Sequence, residues 1–495
     1  MDQWQSNQQT LYYSNWLHNR IIMAQRFGKT SLHVSMLSNT LIKSLLIISI
    51  LILFFSCQSG NKNSASIDHP NFSEHIAPLI FKNCSPCHRP GSAAPFDLLT
   101  YKDAKRHART IELTVSSRVM PPWPADPEYV HFRDEKVLSS NEIQLFKKWI
   151  EEDCPEGDPS FLPSSPFFPD NSLLGTPDKV LRIEKPFFLP GDNLDKFMMI
   201  KIPYQLTQDT FIRAIEIVPG NKKLVHHINA HLVQYTAGSK KTMMNGAFEV
   251  NTELMNKKEA FAKLDLQNDD GTYPMLTPSV TNYLPGVETA IYPHGIGGYR
   301  VKKDGILLLD NIHYGPTPID TSDQTSFNIF FSPEPPQRPV SEFILGTSGI
   351  SKIDPPLVIQ PGTIETFRTS YVVPEDISIV TVNPHMHLLG KSFLAYALTP
   401  IGDTIRIINI PRWDFRWQYF YTYRNILKIP SGSTIYAVGT YDNTRNNPLN
   451  PFNPPQVVSE RDGSMRTTDE MFQLIITWMP YKNGDEKISL ELQRK

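Results

Sequence analysis

The sequence predicts a multidomain chain, with a small all-α domain followed by all-β antiparallel sandwich domains. Three observations carry that expectation. Before residue 160 the pattern is helical: Ser139 and Glu142 make a capping box, and Ile143, Phe146 and Ile150 then fall on one helix face. Beyond residue 160 helical periodicity is scarce. Short runs rich in β-branched and aromatic residues replace it: FIRAIEIV, HHINAHLVQY, GILLLDNIHY, SIVTVNPHMH, STIYAVGTY and FQLIITWM. Proline, at 42 of 495 residues, is above average, and together with Gly and Asn it punctuates those runs, the signature of antiparallel sandwiches or jelly rolls.

Taken in order, the chain starts with a leader. Residues 44–55 (SLLIISILILFF) are an apolar run preceded by Lys43 and followed by Ser56 and Cys57. The run is short for a membrane span and suits the core of a signal peptide. A small residue directly before a cysteine resembles the bacterial lipobox, in which Cys57 becomes the lipidated first residue of the mature chain; Phe54 and Phe55 are bulkier than that pattern usually holds. Residues 1–35 do not look like a signal n-region, and a start at Met36 gives a signal of ordinary length. An uncleaved N-terminal anchor is the alternative. Either places the protein outside the cytoplasm and held to a membrane. Residues 1–56 are thus leader and 57–71 a tether. The remaining chain, about 440 residues, suffices for a small domain and two ordinary ones. A formal net charge of −2, with no segregated charge blocks, gives no electrostatic case for nucleic acid.

Cys84, Cys87 and His88 form the run C-S-P-C-H. Two thiols at this spacing can add across the vinyl groups of a haem, leaving the adjacent imidazole to bind the iron. With 4 Cys and 14 His in the chain, the run is expected by chance only about 0.001 times. A thioredoxin-like pair would need a βαβ context, and a zinc site two more ligands nearby. The sixth iron ligand should lie downstream. Met120 opens M-P-P-W-P, where prolines hold the chain extended around the sulfur, and a thioether opposite histidine favours ferrous iron. His107 and His131 are the alternatives. Residues 72–158 look like a class I-type c cytochrome.

Residues 159–190 are Pro-rich and weakly patterned, a linker, and a second break near 333–362 carries P-E-P-P and D-P-P. Cys154 is the last cysteine, so residues 155–495 exclude blue copper, iron–sulfur and cysteinyl zinc sites. Cys154 itself is left as an unpaired thiol. Seven histidines remain in that region: His226, His227, His231, His294, His313, His385 and His387. His385 and His387, at i and i+2, share a strand face and can bind one metal; an exposed polar face is the bland alternative. His226 and His227 point to opposite faces unless they sit at a strand end or bulge. Periodicity alone pairs His227 with His231 instead.

V-H-H (225–227), I-H-Y-G (312–315), P-H-M-H-L-L-G-K (384–391) and D-E-M (469–471) occur in that order. They resemble the ligand motifs of the copper type II, ascorbate-dependent monooxygenases, the group of peptidylglycine α-hydroxylating monooxygenase and dopamine β-hydroxylase. D-F-R-W-Q (414–418) and Y-D-N-T…N-P-L-N-P (441–451) resemble bacterial members with a fused cytochrome. The resemblance spans roughly residues 190–495. It implies two jelly-roll sandwiches, at about 191–345 and 346–495, with two copper ions facing each other across a cleft. His226, His227 and His313 would hold the electron-supplying copper, and His385, His387 and Met471 the oxygen-activating one. A soft thioether at Met471 favours Cu(I), the form that meets O₂. His231 and His294 are then spare.

The reaction so implied is hydroxylation of a C–H bond of a small organic substrate by O₂. Electrons would come from an external donor, an ascorbate-like reductant or a redox protein, through the haem to the His226/His227/His313 copper. Peptide-amidating members grip a substrate carboxylate with an arginine and a tyrosine at positions that here are Asn383 and Ile475, so such a carboxylate is not expected. The competing reading is a non-catalytic haem or copper electron-transfer lipoprotein.

Overall fold

The computed structural model describes residues 67–491 except positions 93, 170–171, 278, 286–288, 290, 293–294 and 462–465. Cys57, the leader and His294 lie outside the described residues. Among the described residues no helix is long and apolar enough to cross a membrane.

The first part is helical. A π-turn at Phe72–Ile76, capped by the Asn71 side chain, runs into α1 (Ala77–Asn83). Two short helices follow, α2 (Tyr101–Arg106), opened by a Thr100–Asp103 capping box, and α3 (Ala108–Ser116). In α4 (Ser140–Glu151) the Ser139–Glu142 capping box forms in both directions, satisfying two otherwise orphaned backbone donors. Its 3.6-residue stripe buries Phe146, Trp149 and Ile150, and Ile143 packs at the margin. These side chains close on Phe72, Ile76, Ile80, Ile111 and Val115, a small core separate from the rest of the protein. Cys154 is buried in it as a free thiol.

The remainder is mostly antiparallel β-sheet. Three long strands organise its first half: β1 (Lys196–Gln205), β2 (Val225–Gln234) and β3 (Asp304–Tyr314). They lie in the order β1-β3-β2, flanked by Glu249–Asn251 on one side and Met275–Leu276 on the other. A second sheet orders Lys179–Arg182, Ser326–Phe331, Thr210–Val218 and Tyr299–Val301. Ile200, Leu232 and Leu309 of the first sheet join Leu181, Ile215 and Phe327 of the second in one core. The first sheet is covered on its other side as well, where Met199, Val233, Ile306 and Leu308 meet a helix at Lys257–Lys263 through Ala260 and Leu264. That double cover explains the unbroken apolar run of β3, for a strand buried on both faces has no polar side to alternate with.

The second half repeats the plan. Its central strands are β4 (Ile377–Met386), β5 (Tyr421–Ile429) and β6 (Phe472–Pro480), ordered Ser341–Gly346, β6, β4, β5. A five-stranded sheet opposes them: Ile353–Asp354, Ile364–Val372, Thr434–Asp442, Gly390–Leu398 and Thr404–Ile410. Among the described residues the named strands pair antiparallel, and an isolated bridge between Ile296 and Arg338 is parallel.

The segment between α3 and α4 departs from the helical part. Ala125 and Phe132 are buried in the large β core rather than the small helical one, with Trp123 and Val130 packed beside them. Phe132 bridges Tyr423 of β5, the Arg133 N–H donates to Thr422 O at 2.7 Å, and the Asp126 N–H donates to Asn409 O at 2.8 Å. The linear pattern assigned this stretch to the helical unit, but its apolar residues serve the second β half.

Candidate metal centres

At the start of β2 the ladder with β3 slips. His313 pairs with His227, but the next pair is Tyr314 with Val225, so His226 is an extra, bulged residue. A bulge turns both neighbouring side chains to one face. It brings His226, His227 and His313 together, with one ring nitrogen from each within 4.8 Å of the others. His231, which periodicity paired with His227, is not part of this group: its Nδ1 faces Thr277 O at 3.1 Å and its Nε2 lies 3.8 Å from Asp310. The bulge overrides the period of two.

Each ring in the trio is oriented by a partner or left with a bare nitrogen. Asp195 Oδ1 accepts from His313 Nε2 at 2.6 Å, and Asn311 Nδ2 sits 3.2 Å from His227 Nε2. Phe197 stacks on His313 at 4.3 Å. The Nδ1 atoms of His226 and His313 are buried with no hydrogen-bond partner. Two buried, unpartnered imidazole nitrogens converging with a third are costly in a protein alone and are satisfied by a bound cation. Burial keeps all three rings below the ordinary imidazole pKa, His227 furthest. They are therefore neutral, the form in which imidazole binds metal. His227 is lowered further by His313 and His226, with smaller contributions from His385 and His387.

The second group sits at the end of β4. Met386 turns into the core beneath Gly390 and Gly439, where any Cβ would meet Trp413 at 2.6 Å or Phe472 at 2.8 Å. His385 and His387 are therefore thrown to the opposite face, their rings 5.1 Å apart and perpendicular. The ladder ends with Met386 paired to Phe472; continuing that register sets His387 opposite Met471. The Nδ1 of His385 is held by Gln418 Oε1, and that of His387 by Asp469 O at 2.8 Å. These contacts fix the orientation of both rings. Burial lowers His385 to about 3, assisted by His387 and opposed by Gln418.

Glu470 lies between two of these positions in sequence and locks them. Its carboxylate accepts from the N–H groups of His387 (2.9 Å), Leu389 (2.7 Å) and Met471 (3.3 Å). Burial pushes its pKa up to about 8 against those three bonds. The Asn383 amide donates to Tyr419 O at 2.8 Å and is buried, so its side chain is committed to the scaffold.

In the helical part, C-S-P-C-H forms a turn directly after α1. His88 N–H donates to Cys84 O at 2.9 Å and Cys87 N–H to the same oxygen at 3.1 Å. Burial pushes Cys84 up to about 12, with Cys87 adding to it. Cys87 is raised by burial too, against Lys136 and Arg89. His88 Nδ1 faces Phe96 O at 3.0 Å, leaving Nε2 for a metal. Of the sixth-ligand candidates, His131 pairs with Glu135 at 3.1 Å and is 60% exposed, and His107 stacks on Phe96 at 3.8 Å. Met120 is partly buried just beyond α3, its N–H donating to Thr114 O.

No protein-family model and no curated protein matches the chain. Among solved structures it is similar to the STIV MCP, with a TM-score of 0.22 and 9% identity over 61% of this chain and 94% of that one. It is also similar to a structure of infectious bursal disease virus Gx strain, with a TM-score of 0.15 and 8% identity over 64% and 74%. Likeness this slight carries no argument.

Sequence reasoning did not find Asp195, Asn311 or the roles of Gln418 and Glu470. Gln418 and Glu470 stand inside motifs that pattern alone could flag. Asp195 and Asn311 carry no local signal.

Proposed function

We propose that the protein is a haem-fed dicopper monooxygenase that hydroxylates a C–H bond of a small organic substrate with O₂. The observation that carries this is the His226/His227/His313 trio, with two buried imidazole nitrogens lacking any partner and facing a third. The second pair, with both Nδ1 atoms held and the rings 5.1 Å apart, supports a site of different ligand geometry. Resemblance to the copper type II monooxygenases adds Met471 to that pair.

In this reading His226, His227 and His313 hold one copper ion, and His385, His387 and Met471 the other. Bound copper supplies the redox chemistry that activates O₂. The chain's own contribution is preparation. Burial keeps the histidines neutral, Asp195 and Asn311 fix the first set of rings, and Gln418 and Asp469 O fix the second. Cys84 and Cys87 attach one c-type haem, with His88 and Met120 as axial ligands. Asn383, tied to Tyr419, offers no grip for a substrate carboxylate, which favours a neutral or differently anchored substrate. Cys57 lipidation would hold the protein outside the cytoplasm on a membrane, where an external one-electron donor supplies it.

Metal analysis with EPR on the copper-loaded chain tests this. Two type 2 copper signals per haem are expected. One copper or none, with haem intact, would replace the enzyme by an electron-transfer lipoprotein.

A further inference from the structure

The stretch just after Met120 does not end in solvent; it is built into the second metal centre's scaffold. Pro122 O accepts from the Tyr419 hydroxyl at 2.8 Å, and the Trp123 ring lies 5.4 Å from Tyr419 and 5.3 Å from Tyr421. Tyr419 O in turn accepts from Asn383, two residues before His385, while the preceding residue, Gln418, holds the His385 ring. A path of covalent bonds, hydrogen bonds and ring contacts therefore links Met120 to His385. Phe132, 1% exposed, and Ala125, 2% exposed, hold this segment against the second β half as part of the core.

We propose that Trp123 and Tyr419 form the bridge by which electrons pass from the haem held at Cys84, Cys87 and His88 to the metal held at His385 and His387. This rests on the reading above and changes its order, since the sequence suggested entry at the His226/His227/His313 copper. One electron leaves ferrous iron, which becomes ferric, and converts cupric to cuprous ion; no bond is made or broken. The external donor then restores ferrous iron. The rival path enters at the His226/His227/His313 metal beside Tyr283, which pairs with Ile228, next to His227.

The test uses the full chain loaded with haem and copper, without O₂. A flash-excited one-electron donor reduces the haem, and the haem band and the cupric EPR signal are followed. His313→Ala should keep fast haem reoxidation, and His385→Ala should lose it; the reverse result overturns the bridge in favour of Tyr283. Trp123→Leu should slow reoxidation by about an order of magnitude with haem spectrum and cupric EPR unchanged. Where that variant does not fold, Tyr419→Phe, which removes only the bond to Pro122, should slow it as well. Unchanged rates in a folded variant would overturn the proposal. A wild-type chain with no cupric signal would instead sink the dicopper reading itself, and the bridge with it.

Discussion

Arg338 is the residue whose loss should most clearly expose how the two β halves are joined. Its backbone belongs to the first half, where Arg338 O accepts from Gly297 N–H at 3.0 Å. Its guanidinium belongs to the second, gripping both oxygens of Asp485 at 2.5 and 2.9 Å and Pro480 O at 3.0 Å. Asp485 is 2% exposed. Burial raises its pKa, but Arg338, Ser378 and the Lys482 N–H together overcome that and bring it down to about 2 from 3.8. At about 1.4 kcal/mol per pH unit, this displacement contributes about 2 kcal/mol to stability.

Because the folded pKa is depressed, that contribution is complete above the unfolded value and is lost as pH falls through the folded one. Arg338→Met strands a buried carboxylate at neutral pH. Breaking such a pair costs about 3–5 kcal/mol, and we expect the low end because Ser378 and Lys482 still serve Asp485. In the variant burial dominates, Asp485 titrates upward, and acid relieves it. The difference between wild type and variant should thus shrink as pH falls from 7 to about 3. Urea unfolding at the two pH values measures it. A destabilisation under about 1 kcal/mol at neutral pH, or one that does not change with pH, would refute the reasoning.

Three further outcomes follow from the sites. Asp195→Asn should weaken copper binding at the His313 site about 10–100-fold, read by metal titration, while the second cupric signal persists. Glu470→Gln must leave at least one of three buried N–H groups facing a donor or nothing, so it should cost about 1–3 kcal/mol in urea unfolding and broaden only the second-site EPR signal. Cys87→Ala should lose covalent haem, seen as pigment extracted by acid solvent, and Met120→Ala should lower the haem potential or make the iron high-spin; no change in either would move the sixth ligand elsewhere.

What the sequence revealed was what neighbours in sequence decide. The Ser139–Glu142 capping box was readable because both partners lie within one helical turn. The dominance of antiparallel β after residue 160 was readable because strand pattern and turn residues are local as well. The His226–His227 pair was not resolvable, because its bulge depends on which residue of β3 stands opposite, 86 positions downstream by the pairing of His313 with His227. The same holds for the segment around Phe132. Its apolar residues look alike whether they pack on the helices or on β5, and only the long-range bridge to Tyr423 decides.

Each histidine group includes a residue where a ladder fails, His226 at a bulge and His387 just past the last paired residue, and this has a physical consequence. Within a ladder the backbone fixes side-chain direction; at its end it does not. Ring orientation there must come from side-chain and carbonyl partners, and each group has them: Asp195 and Asn311 for the first, Gln418 and Asp469 O for the second. The partners leave different atoms open. In the first group Nε2 is taken on His227 and His313; in the second, Nδ1 is taken on both rings. Two metals bound by these sets would meet imidazole through opposite ring nitrogens, and so differ in approach even before Met471 makes their ligands chemically unequal.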